Sequence, residues 1–149
     1  MDNIENRQLR QTRTFKVPID LMWEVWTQPE HIMQWWGPTG FTNTNKLMDF
    51  REGGEWLFTM HGPDGKDYAN RSLFKEIVPK EKIVFEHFGP HFITTVLFIS
   101  QGDETLIDWT VELDSEEILK TLVREVNAAE GQKQNLDKLE QYLLKRQTK

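Results

Sequence analysis

The sequence holds few side chains that could do chemistry, and their spacing decides which kind. Four histidines are present, and His87 and His91 are the closest pair. Gly89-Pro90 lies between them, so no helix holds both rings on one face, and no cysteine or carboxylate cluster joins them. No metal and no cofactor is therefore expected. Asp49, Glu55, Glu76, Glu86 and Asp108 stand singly in extended stretches, on the face expected to meet solvent. The absence of cysteine excludes disulfides, thiol catalysis and Cys-based zinc sites. No GxSxG, HExxH, phosphate-loop or dinucleotide fingerprint is present. If a proton were to be moved in an enclosed site, Tyr68 or His87 would have to move it. Nothing else demands catalysis, and no catalytic residue is assigned.

The aromatic residues carry a stronger signal. Six Trp and nine Phe are present, and many recur at a spacing of two. Trp56, Phe58 and Met60 alternate with Glu55, Thr59 and His61, and Phe74, Phe85, Phe98 and Trp109 fall on further extended runs. Large apolar residues at such positions form ordinary core by default. Polar residues at the same parity qualify that default. Tyr68, Asn70 and Ser72 alternate with Phe74, and His87 shares a face with Phe85. Either a few polar groups are set into an apolar pocket, where they would orient a ligand, or this parity faces water. The pair Trp35-Trp36, at the end of a short helix, is either an anchor of helix to sheet or a gate over a cavity mouth.

These residues need elements to position them. The final stretch, Asp114 to Arg146, returns to helical spacing. Asp114 and Glu117 have the separation of a helix cap and a returning carboxylate. Apolar residues follow at Ile118, Leu119, Leu122, Val123 and Val126, then at Leu136, Leu139, Tyr142 and Leu143. The polar run from Glu130 to Asn135 separates the two sets. It predicts a short first helix or turn and a longer helix from about Ala128 to Leu144. Leu9 to Val17 reads as a strand, and two short helices follow, Ile19 to Thr27 and Pro29 to Trp36, with Pro29 at the first position of its helix. From Phe41 the period is two, and turn residues recur: Gly53-Gly54, Pro63-Asp64-Gly65, Pro79-Lys80 and Gly102-Asp103. The expected order is one strand, two short helices, six strands and the long helix. Consecutive hairpins make the sheet antiparallel, hence an α+β fold.

A chain of 149 residues suits a single domain, with residues 1–8 a flexible N-terminus. The net charge of −6 argues against a nucleic-acid partner, which would select a basic face. No apolar run approaches the length of a membrane span. The polar first residues lack the apolar stretch of a signal peptide, so a cytoplasmic location is expected.

Five segments occur in order: Val25-Trp26-Thr27-Gln28-Pro29-Glu30-His31, Trp35-Trp36-Gly37-Pro38, Arg51-Glu52-Gly53-Gly54, Met60-His61-Gly62-Pro63-Asp64-Gly65 and Glu76-Ile77-Val78-Pro79. Together they resemble the START-like (SRPBCC) superfamily, in the branch of the C-terminal domain of the activator of heat-shock protein 90 ATPase. The resemblance runs from about Thr12 to Leu144. It implies a helix-grip fold, a curved antiparallel sheet wrapped around a long C-terminal helix with two short helices after the first strand. It also implies an apolar cavity between sheet and helix that binds a small hydrophobic molecule. The expected lining is Trp26, Trp36, Phe58, Met60, Phe74 and Phe85, together with Phe98, Trp109, Leu136 and Leu139, and Tyr68 and His87 as polar fixtures. Two other classes follow from the same resemblance: a co-chaperone-like module of the stress response with a chaperone as partner, and an enzyme like the polyketide cyclases. A monomer or homodimer is expected.

Overall fold

The computed structural model describes residues 4–89 and 91–147, with the side chains of residues 4, 5, 125, 126 and 147 excepted. Strand β1 (Gln8–Phe15) is followed by helices α1 (Ile19–Thr27) and α2 (Pro29–Trp35). Six strands come next: β2 (Thr42–Met48), β3 (Glu55–His61), β4 (Asp67–Val78), β5 (Lys82–Phe88), β6 (Phe92–Gln101) and β7 (Glu104–Leu113). Helices α3 (Glu116–Val126) and α4 (Ala128–Gln147) close the chain. Of the N-terminal residues expected to be flexible, Ile4–Arg7 form one 3₁₀ turn packed against α3, and residues 1–3 lie outside the described residues.

The strands form one curved sheet in the order β1-β7-β6-β5-β4-β3-β2. All neighbours are antiparallel. Each strand from β2 onward is a hairpin partner of the next, while β1 pairs with the last strand, β7. Irregular register at Asn45/Leu47 and at Phe74/Glu76 bends and twists the strands locally, as bulges do. The sheet thereby curves toward the helices. Inward positions alternate cleanly on β5, where Ile83, Phe85 and His87 are buried, and on β7, where Thr105, Ile107 and Trp109 are.

The local chemistry sets the helix boundaries. Pro29 begins α2, where its missing N–H has no intrahelical partner to lose. Gly37 ends that turn at φ +91°. The cap of α3 is Ser115, whose hydroxyl accepts from Ile118 N at 3.1 Å. The sequence places this cap at Asp114, one residue earlier. The Asp114 carboxylate is instead 2.8 Å from His91 Nδ1, so it is already engaged. Asn127, in the left-handed conformation at φ 51°, separates α3 from α4. On α3, Leu119 is buried, but Ile118 and Val123 of the expected dry side are exposed. Val126 lies outside the described side chains. On α4, Leu136, Leu139 and Leu143 are fully buried against the sheet and α1–α2 core.

Candidate functional site: a cavity between the sheet and the C-terminal helices

Where the sheet curves away from α4, a cavity of about 330 Å³ remains, within the range of small-molecule sites, about 300–1,000 Å³. Inward residues of successive strands build its floor: Trp56, Phe58 and Met60 from β3, Asn70 and Ser72 from β4, Phe85 and His87 from β5, Phe92 from β6 and Trp109 from β7. The helical wall is Leu122 of α3 with Ala128, Gly131, Gln132 and Asn135 of α4. The third wall is the Trp36-Gly37-Pro38 turn that leaves α2.

That turn is fixed from α4. Asn135 Nδ2 donates to Trp35 O at 3.1 Å, and its Oδ1 accepts from Gly37 N at 3.0 Å. Lys138 Nζ donates to Trp36 O, Pro38 O and Phe41 O at 3.1, 3.3 and 2.9 Å. Burial pushes the Lys138 ammonium below its ordinary pKa, and the three carbonyls are its compensation. Gln134 Oε1 accepts from Thr39 N at 3.1 Å. The first half of α4 thus reads as a polar clamp on one wall and an open face to the cavity beside it.

The walls are aromatic, and among the described residues no Asp, Glu, Lys or Arg lines them. The Trp36 ring lies 5.3 Å from Trp56 and 5.6 Å from Trp109. His87 stacks on Phe92 at 4.4 Å, with 10° between the ring planes. His87 Nε2 donates to Asn70 Oδ1 at 2.8 Å, and Asn70 Nδ2 donates to Tyr68 O at 3.0 Å. The remaining polar atoms of the wall are less satisfied. Ser72 Oγ, Gln132 Oε1, and the Nε1 groups of Trp56 and Trp109 are buried with no hydrogen-bond partner among the described residues.

Six of the residues read from the sequence as lining meet here: Trp36, Phe58, Met60, Phe85, His87 and Trp109. Trp26, Phe74, Phe98, Leu136 and Leu139 do not reach the cavity wall and are buried in the core beside it. Trp26 is a second layer, 6.0 Å from Trp36 and 5.9 Å from Trp109. Tyr68 is elsewhere: it is 44% exposed, with its ring 6.1 Å from Phe41. It keeps the parity of Ser72 and Phe74, but at the end of β4 no helix lies over that face. Of the Trp35-Trp36 pair, Trp35 is the anchor, fully buried and donating from Nε1 to Val25 O at 3.1 Å. Trp36 is the one that faces the cavity.

Sequence reasoning missed Gln132 and Asn135 because the polar run 130–135 reads as a break between helices. The signal was present in the spacing. Residues 132, 135, 136, 139 and 143 share one helical stripe, and all five are buried. Among the described residues no group of three or more His, Asp or Glu could hold a metal, and no helix is long and apolar enough to cross a membrane.

Solved structures with this architecture come from several bacteria. A protein from Nitrosomonas europaea superposes with a TM-score of 0.88 at 21% identity, over 97% of this chain and 98% of that one. A Mycobacterium smegmatis protein gives a TM-score of 0.85 at 22% identity, over 98% of this chain and 96% of its own. An AHSA1 protein from Silicibacter pomeroyi gives 0.75 at 21% identity, over 93% of this chain and 99% of that one. At these identities the likeness speaks for the fold. No curated protein matches the sequence. The family model for "Activator of Hsp90 ATPase homolog 1-like protein" matches residues 16–144, from the end of β1 to the last turn of α4. The chain therefore belongs to the Activator of Hsp90 ATPase homolog 1-like family.

Proposed function

We propose that this protein binds a small, uncharged, largely apolar molecule in the cavity between the sheet and α3–α4. The observation that supports this reading is the composition of the wall: an aromatic pocket of about 330 Å³ with no charged side chain among its described residues. Each apolar surface removed from water contributes roughly 25 cal/mol per Å², so binding a few rings offsets the loss of translational freedom. A carboxylate or ammonium would be buried there without a counter-charge from any described residue, which is strongly unfavourable. The reading assigns no catalytic step, because the His87 Nε2 proton is already given to Asn70.

The test is a titration with the neutral fluorescent probe N-phenyl-1-naphthylamine, following probe emission and tryptophan quenching. One saturable site is expected. Phe58→Trp and Met60→Trp, which add volume into the cavity, should each weaken binding at least about tenfold while far-UV circular dichroism stays native. A wild type without saturable binding would sink the proposal.

Membership of the family supports a second reading, a module that acts on a chaperone ATPase. Stimulation of a heat-shock protein 90 ATPase that persists undiminished in Phe58→Trp would favour this reading over the first.

A further inference from the structure

Resting on the binding reading above, we infer that the molecule bound in the cavity is a neutral hydrogen-bond donor, an alcohol, phenol, or amine or amide N–H compound, whose proton is received by Gln132 Oε1. Gln132 is in the second turn of α4, 7% exposed, and part of the cavity wall. Its amide has one orientation open to it. Nε2 donates to Trp109 O at 3.2 Å, and a carbonyl can only accept, so the reverse flip would set two acceptors against each other. Oε1 is therefore held as an acceptor, and no donor among the described residues reaches it. A buried acceptor without a donor is costly to keep.

The surroundings leave this atom as the wall's fixed acceptor. Asn70 Oδ1 is occupied by His87, and Asn135 uses both ends of its amide on the Trp35–Gly37 turn. Gln132 also sits where α4 is thinnest. Its neighbour Gly131 has no side chain, and a Cβ there would meet only Pro38 Cβ, at 4.0 Å. A ligand can thus approach the helix at this turn. Among the described residues no carboxylate lines the wall, which favours a neutral donor, since an ammonium would find no counter-ion among them. Discrimination follows from the same geometry. A site that presents a buried acceptor rejects an analogue that lacks the donor, because the acceptor then stays unpaired.

Two probes of matched shape separate the possibilities: N-phenyl-1-naphthylamine, which has an N–H, and 1-phenoxynaphthalene, which has an ether oxygen in its place. Wild-type protein should bind the amine about fivefold or more tightly than the ether. Gln132→Met should bring the amine down to the affinity of the ether and leave the ether unchanged. In uniformly ¹⁵N-labelled wild type, the side-chain amide resonance of Gln132 should shift with the amine and not with the ether, a readout that does not require the variant to fold. Equal affinity of wild type for the two probes, or a preference that survives in Gln132→Met, would overturn the assignment while leaving the cavity as a binding site. Failure of both probes to saturate would remove the binding reading itself, and the inference with it.

Discussion

Gly53 and Gly54 are neighbours in one turn, yet glycine is required at each for a different reason. Gly53 has φ +86° with open space around the position of a Cβ, so its constraint is backbone conformation alone. A Cβ on Gly54 would collide with the backbone carbonyl of Asp49, in a turn whose N–H and C=O groups bond to Phe74 at 2.8 and 2.9 Å. Gly53→Ala should cost about 1–2 kcal/mol, and Gly54→Ala more than about 2 kcal/mol because backbone must move. Urea unfolding of the two variants checks the order, and an equal loss would refute the distinction. Ser72 offers the opposite case. Ser72 is 1% exposed and its hydroxyl has no partner among the described residues, so Ser72→Ala removes a buried unsatisfied group. Thermal unfolding should be unchanged or raised, by up to about 1 kcal/mol. A clear destabilisation would mean that the hydroxyl is needed by the fold.

At the scale of elements, the start of α3 is tied to the β5–β6 turn through one side chain. His91 lies between Glu86 Oε2, 2.7 Å from Nε2, and Asp114 Oδ1, 2.8 Å from Nδ1. Hydrogen bonding to Glu86, and then to Asp114, holds the His91 pKa above the usual histidine range. Hydrogen bonding to His91 holds the Glu86 carboxyl below its usual range, against some desolvation and with help from Lys75, 3.5 Å away. A raised histidine favours folding most while it is protonated. Its contribution is full below about pH 6.5 and is lost as pH rises through the elevated value. The Glu86 contribution is present above about pH 4.5 and is lost as pH falls through its lowered value. His91→Gln should therefore lower Tm most near about pH 6 and scarcely at about pH 9. A Tm difference independent of pH would show that the ring serves by packing rather than by charge. This clamp was invisible in the sequence as such, because Glu86 and Asp114 approach His91 only through the pairing of β5, β6 and β7.

For the whole molecule, the cavity couples distant parts of the chain. Leu9 near one end, Phe58 and Phe85 in the middle, and Gln132 near the other end share its wall. A ligand bound there stabilises every element that must be in place to form the wall. At about one hundred times its dissociation constant, a neutral probe such as N-phenyl-1-naphthylamine should add about 2.7 kcal/mol and raise Tm by roughly 5–10 °C. At the same probe concentration Phe58→Trp should cut the shift to about half or less; a shift of the same size in that variant would place the binding elsewhere. The architecture was legible before folding because it rests on local rules. Periods of two and of 3.6 residues, Pro29 at a helix start and Gly53 at a turn are properties of neighbouring residues, and they led to the observed order of elements. The same rules gave the correct parity for Phe58, Phe85 and Trp109. They failed where burial depends on what lies opposite. Tyr68 has inward parity but no helix above it, and Gln132 has a polar side chain in a polar run yet is buried by the sheet. Asp114 has the chemistry of a cap but is engaged by His91, leaving the role to Ser115. Alternation says which face of a strand a residue occupies; only the curvature of the sheet and the path of α4 across it decide whether that face meets helix, cavity or water.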